Sequence, residues 1–223
     1  SVSYGDQKVL DHLSMTVANA RTVAVVGATG AGKTTLLQAI AGLIPVDSGS
    51  IQVSQGGVGM VFQEAFLFAD TLRFNVTLGN EISDDLVHEA LAIAAATDFV
   101  SQFAQGLDTE IGERGASLSG GQRQLVALAR AIAHRCSVLL LDDTTSALDP
   151  TTEAKVVENL RRRQASGATL IVASRPSTIS LADEVLFLAN GVIIDHAPHS
   201  VLMAQNSEYR TLLEAFEQDR RDV

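Results

Sequence analysis

The run Thr22-Val23-Ala24-Val25-Val26 stops abruptly at Gly27-Ala28-Thr29-Gly30-Ala31-Gly32-Lys33-Thr34-Thr35, after which Leu36, Leu37, Ile40 and Ala41 recur at helical spacing. An apolar, β-branched run of this kind reads as a buried strand, and the spacing after it reads as one face of a helix, closed by Gly42 and Pro45. The chain must therefore build strand, glycine-rich turn and helix in immediate succession. In that context Gly27-x-x-x-x-Gly32-Lys33-Thr34 is the P-loop pattern. Its glycines let consecutive backbone N–H groups turn inward around phosphate oxygens, at a helix start that itself favours anions. Lys33 is expected to neutralise β- and γ-phosphates, and Thr34 to give its hydroxyl to Mg²⁺.

Two more buried-strand runs follow. Val138 to Leu141 ends in Asp142-Asp143, and Thr169 to Ala173 ends at Ser174-Arg175-Pro176. Helical patterns precede and separate them, from Ser119 to His134 and from Thr151 to Arg163. Strands alternating with helices predict an α/β fold with a mostly parallel sheet covered on both faces and ligands at the carboxyl ends of its strands. Asp142, at such an end, is the carboxylate expected to hold the Mg²⁺ water shell beside a γ-phosphate. Leu118-Ser119-Gly120-Gly121-Gln122 opens a further helix, with Ser119 as N-cap and two glycines that allow an anion close to the backbone. Residues from about Glu64 to Ala116, rich in Ala and Leu at helical spacing, read as a helical insertion. Val185 to Ala189 and Val192 to Asp195, split by Asn190-Gly191, read as a late hairpin, and Ser207 to Gln218, with Tyr209, Leu212, Leu213 and Phe216, as a closing amphipathic helix.

Composition narrows the function classes. With 26 acids against 16 Lys plus Arg, a net charge of -10 and a pI near 4.8, the chain lacks the basic field that nonspecific nucleic-acid binding requires. Its longest apolar runs, such as Leu91 to Ala96, fall far short of the roughly 20 residues that cross a bilayer. The single cysteine, Cys136, permits no intrachain disulfide and reads as a small buried side chain. His12, His88, His134, His196 and His199 have no metal-ligand spacing, and Arg161-Arg162-Arg163 reads as a solvated helix end; Arg123 and Gln124 read as exposed continuations of their helix. The first residue is Ser1 rather than Met, which suggests an excised domain.

Taken together these motifs resemble the nucleotide-binding domain of ATP-binding-cassette (ABC) transporters of the exporter type, over essentially the whole chain. Gly27 to Thr35 is similar to the Walker A loop, Val138 to Asp142 to the Walker B strand, Leu118 to Gln122 to the signature sequence, and Ser146-Ala147-Leu148-Asp149 to the D-loop. Tyr4 stands where the family has an aromatic that stacks on adenine, and Gln63 where the Q-loop glutamine contacts Mg²⁺ and water. The resemblance implies a P-loop NTPase (RecA-like) core with a small antiparallel β-subdomain and an inserted helical subdomain. On that template residues 1–63 carry the β-subdomain and Walker A, 64–118 the helical subdomain running into a signature helix at 119–135, and 136–223 the remaining core with Walker B, D-loop and switch region. ATP and Mg²⁺ are implied as ligands, held by Tyr4, Gly27, Thr29, Gly30, Ala31, Gly32, Lys33, Thr34, Thr35, Gln63 and Asp142, with Ser119, Gly120, Gly121 and Gln122 contacting ATP on a partner and Thr34, Gln63 and Asp142 serving the metal. Implied partners are a second nucleotide-binding domain and transmembrane domains, reached through Ala65 to Val76 and Thr109 to Gly115; the implied location is the cytoplasmic membrane face. Nucleic acid is not an implied partner.

Three departures from the family pattern bear on activity. Asp143 replaces the glutamate that polarises the attacking water, which withdraws the carboxylate by about 1 Å, a misplacement that can cost roughly 10²-fold in rate. Ser174 replaces the switch histidine and can neither reach as far nor carry positive charge. The pair resembles the degenerate half of a heterodimeric exporter, with catalysis at its own site resting on Asp143, Gln63 and Ser174, and with an intact signature serving the partner's site. The segment Ile51 to Val58 is much shorter than the family's strand-and-loop excursion, leaving either a trimmed β-subdomain or a break in the sequence. Two other readings stay open at this level: a non-transport ABC ATPase acting on nucleic acid or ribosomes, and a nucleotide-binding pseudoenzyme.

Overall fold

The structure is a computed structural model that describes residues 1–162 and 167–219. Its strands are β1 (Val2–Tyr4), β2 (Gln7–Leu10), β3 (Thr22–Val26), β4 (Val58–Val61), β5 (Val138–Leu141), β6 (Ala168–Val172), β7 (Glu184–Ala189) and β8 (Val192–Ala197). Its α-helices are α1 (Lys33–Ile40), α2 (Leu72–Thr77), α3 (Asp84–Ile93), α4 (Thr97–Val100), α5 (Gly120–Ala133), α6 (Pro150–Arg162), α7 (Pro176–Ile179), α8 (His199–Gln205) and α9 (Ser207–Asp219). The last arginine of the basic run, Arg163, lies outside the described residues.

Six strands form one sheet in the order β4-β5-β6-β3-β7-β8, all parallel except the antiparallel edge strand β8. Every residue of β3 and β6 is buried, because helices cover both faces, and this explains why their sequences read as unbroken apolar runs. Alternation along each strand divides the interior in two. Ala24, Val26, Leu139, Leu141, Ile171, Val185 and Phe187 face one side, where α5, α6 and α9 pack. Val23, Val25, Leu140, Leu170, Val172 and Leu186 face the other, against α1 and the antiparallel pair β1–β2. The parallel-dominated sheet with its small separate antiparallel pair is the fold class that the motifs implied. The hairpin at Asn190-Gly191 also forms, with φ of 49° and 76° at its two central residues, as a primed turn requires.

One strand was not foreseen. Val58–Val61 pairs in parallel with β5, whereas the residues before it, 51–57, form no strand or helix. Gly59 interrupts the short run and hides the strand signal, yet the site tolerates nothing larger: a Cβ there would lie 2.8 Å from the Cys136 sulfur. Between β4 and α5 the chain forms α2, α3, α4 and two short 3-10 turns at Gly106–Asp108 and Glu113–Gly115, with α2 and α3 packed on α5.

Candidate functional site

The P-loop residues close around the start of α1. Gly32 is the N-cap and has φ of 100°, a left-handed conformation that side chains other than glycine's resist. Lys33 bends back over the loop, its Nζ donating to the carbonyls of Gly27 at 2.7 Å and Ala28 at 2.8 Å. Burial lowers its pKa, against the opposing pull of Asp143 and Asp142. Thr34 Oγ1 donates to Asp142 Oδ1 at 3.0 Å, joining α1 to the end of β5 across the intervening strand β6. Burial also pushes the Asp142 carboxyl up, with the Thr34 hydrogen bond and the Lys33 charge partly offsetting it.

Asp143 follows in a left-handed backbone, φ 50°, which Asp tolerates better than most residues. Its carboxyl is raised first by burial and further by the charges of Asp142 and Glu153. Gln63, at the end of the segment after β4, donates from Nε2 to Asp143 Oδ2 at 3.3 Å. One cavity of about 550 Å³ is lined by Tyr4, Gly27, Thr29, Gly30, Gly32, Lys33, Thr34, Thr35, Gln63, Asp142, Asp143 and Ser174. It thereby gathers the predicted residues of the chain's own site except Ala31, which is buried. Tyr4 lies at its rim, 51% exposed.

The signature residues do not join this cavity. Ser119, Gly120, Gly121 and Gln122 line a second one of about 490 Å³, together with Asp98, Phe99, Ala147, Leu148, Asp149 and Lys155. Ser119 is the predicted N-cap and forms a full capping box: its hydroxyl accepts from Gln122 N at 3.2 Å, and Gln122 Oε1 accepts from Ser119 N at 2.9 Å.

Three features escaped the sequence reading. Gln124, read as exposed, is 5% exposed; its Nε2 donates to the Gln63 carbonyl, and its Oε1 is buried without a partner among the described residues. Phe216, read only as part of an amphipathic face, reaches the wall of the first cavity from α9. Glu153, 2% exposed on α6, accepts from Thr145 Oγ1 at 2.7 Å and from the Arg175 guanidinium. A signal for Glu153 existed: it shares the buried stripe of Val156, Val157 and Leu160 at helical spacing. A separate exposed aromatic patch joins Phe66 and Phe68, edge to face at 5.1 Å, with Phe62 nearby in sequence. Arg130 braces it from α5 through the carbonyls of Phe66 and Asn75, and burial lowers its pKa.

The first cavity suits a polyphosphate with Mg²⁺. No group of three or more His, Cys, Asp or Glu able to hold a metal occurs among the described residues. Instead one hydroxyl and one carboxylate, Thr34 and Asp142, stand together beside a cationic, amide-lined loop. That donor set is too small to cage a cation alone and fits Mg²⁺ that completes its shell with phosphate oxygens and water.

Comparison with known proteins agrees. The sequence profile of the family described as ABC transporter matches residues 10–146. An ATP-dependent lipid A-core flippase of Syntrophus aciditrophicus is 37% identical over 95% of this chain and 37% of its own length. An uncharacterized ABC transporter ATP-binding protein of Sinorhizobium fredii is 34% identical over 93% of this chain and 38% of its own. The solved structure of a bacterial Atm1-family ABC exporter with ATP bound superposes with a TM-score of 0.86 at 34% identity, covering 94% of this chain and 39% of that one. The chain thus spans less than two fifths of the relatives it matches. With its fold, loop geometry and sequence in agreement, the chain belongs to the ABC transporter family, aligning with part of the longer exporters to which it is similar.

Proposed function

We propose that this domain binds ATP with Mg²⁺ in its Walker cavity, turns it over slowly there, and lends its signature to a faster site on a different partner domain. The observation that supports this reading most strongly is the separation of the two cavities. Lys33, Thr34, Asp142 and Asp143 surround one, while Ser119 to Gln122 open into another, so neither is a complete site within a single chain. A second domain facing it the other way round would complete both.

In this reading the loop amides and Lys33 bind the phosphates, giving up the carbonyls of Gly27 and Ala28 to do so. Thr34 and Asp142 orient the Mg²⁺, which when bound draws charge from the γ-phosphate. Tyr4 stacks on the base. Gln63 and Asp143 hold the water from one side, but the short Asp side chain and the loss of a switch imidazole at Ser174 leave its proton poorly received. Transmembrane domains are the proposed partners of the aromatic patch around Phe66 and Phe68, because exposed, clustered apolar rings mark contact surfaces. No helix among the described residues is long and apolar enough to cross a membrane, so attachment at the cytoplasmic face would run through those domains.

Two measurements test the reading. Lys33→Ala should abolish binding of a fluorescent ATP analogue. Asp143→Glu combined with Ser174→His should raise steady-state ATP hydrolysis by about 10²-fold, the order of rate a restored 1 Å placement recovers; brisk turnover by the unaltered chain would refute the slow-site assignment.

A further inference from the structure

The closing helix α9 contributes a side chain to the Walker cavity. Tyr209, Leu213 and Phe216 stand four and three residues apart, so they share one face of that helix. Asn206, just before the helix, accepts from Tyr209 N through its Oδ1 at 3.0 Å. Tyr209 is fully buried; its hydroxyl lies 2.8 Å from His199 Nδ1, and its ring meets that of Phe187 edge to face with centroids 5.6 Å apart. Leu213 is buried one turn further on, and Phe216 packs against the same core from the next turn while lining the cavity. Two buried anchors on one helix therefore fix where the Phe216 ring lies. The anchoring strand β7, which carries Phe187, pairs directly with β3, the strand that leads into the P-loop.

The ring joins a particular wall. Val172 ends β6, Ala173 and Ser174 follow it, and β6 lies between β3 and β5, so this wall stands between the P-loop and Asp142. Elsewhere the cavity presents polar side chains, among them Lys33, Thr34, Gln63 and Asp142. On the β6 side Ser174 offers one short hydroxyl, whereas the side chains of Val172, Ala173 and Phe216 offer nothing that hydrogen-bonds. Helix α7, which begins just beyond Ser174 and Arg175, also packs on α9, so the ring and the segment after β6 belong to one packed unit.

We infer that Phe216 is a further residue of the nucleotide site, a ring supplied by α9 that dries the wall beside Ser174 and strengthens the hold on the phosphates. This rests on the proposed reading that the cavity binds ATP with Mg²⁺. The ring makes no hydrogen bond to the nucleotide. It acts by excluding water, which leaves the attraction between Lys33 and the phosphates less screened. Changes in affinity of this kind reside mainly in the rate of departure.

Stopped-flow displacement of a fluorescent ATP analogue by excess ATP, on the full chain with Mg²⁺, reads that rate directly. Phe216→Ala should speed release about tenfold, the scale of losing one aromatic anchor from a binding site, with association little changed. Phe216→Gln, which has comparable reach but holds water, should do the same, so a folding defect in the alanine variant does not decide the outcome. Leu212→Ala trims an apolar side chain of the same helix that packs on the core without lining the cavity, and it should leave release unchanged. Phe216 variants that bind the analogue and release it at the unaltered rate overturn the inference, as does Leu212→Ala speeding release as much as Phe216→Ala. An unaltered chain that fails to bind the analogue, or binding that survives Lys33→Ala, overturns the proposed function itself and the inference with it.

Discussion

Three ionisable residues of the Walker cavity are held against their own preferences. Burial raises the carboxyls of Asp142 and Asp143 above their ordinary 3.8 and lowers Lys33 below its ordinary 10.5. A carboxyl whose pKa is higher in the folded than in the unfolded state contributes stability below about 3.8 and loses it as pH rises through the folded value. The depressed lysine contributes its share above 10.5 and loses it as pH falls through its folded value. At neutral pH all three therefore weigh against the empty fold, as expected of groups arranged for a polyanion and its cation. Asp143→Asn removes a charge that burial disfavours and should raise the thermal midpoint near pH 7. The gain should vanish in scans near pH 3, where the unaltered carboxyl is itself protonated. Lys33, Thr34 and Asp142 were legible in the sequence because each ends or begins an element with a strong signal. Gln124 was not: α5 is buried on most of its circumference, so a polar residue beside Leu125 and Val126 could lie inside without breaking any visible pattern.

Among the elements, those stabilised by their own local chemistry were readable and those held by distant partners were not. The capping box at Ser119, the Asn190-Gly191 turn and the unbroken apolar runs of β3 and β6 each declare themselves within a few residues. β4 exists because Val58 to Val61 find Val138 to Leu141 alongside, a pairing some eighty residues distant with a glycine in its midst. The loop 143–149 is likewise organised from outside, by an arginine of the switch segment and a glutamate of α6. The cap offers a measurable consequence. Ser119→Ala should remove about 1 kcal/mol of stability and lower the thermal midpoint by about 2–4 °C. Ser119→Gly should cost only a few tenths of a kcal/mol, because a glycine N-cap is nearly as good. Calorimetry on the two variants separates this structural cost from any loss of nucleotide contact, which both share.

At the scale of the whole molecule, the sheet order explains what the motifs alone left undecided. β3 and β5 flank β6, so the P-loop and Asp142 meet over the carboxyl end of one intervening strand, where ligands bind in sheets of this kind. The signature helix starts elsewhere, and the separation of the two cavities could not be inferred from the spacing of Leu118 to Gln122 along the chain. The net charge of -10 fits the proposed reading, in which contacts with other domains run through the aromatic patch and the two open cavities rather than through a broadly charged binding surface. The central claim is that this chain's signature is competent while its own catalytic residues are not. It is tested most directly by mixing two variants: one carrying Lys33→Ala with the signature intact, the other carrying Asp143→Glu, Ser174→His and Ser119→Arg. Only one complete ATP site can form in that mixture, from the restored Walker cavity of the second chain and the unaltered signature of the first. The account predicts hydrolysis by the mixture well above the sum of the two variants assayed separately, and about 10²-fold less when the second chain keeps Asp143 and Ser174; a rate no greater than that sum, or an equal rate with Asp143 and Ser174 retained, would contradict it.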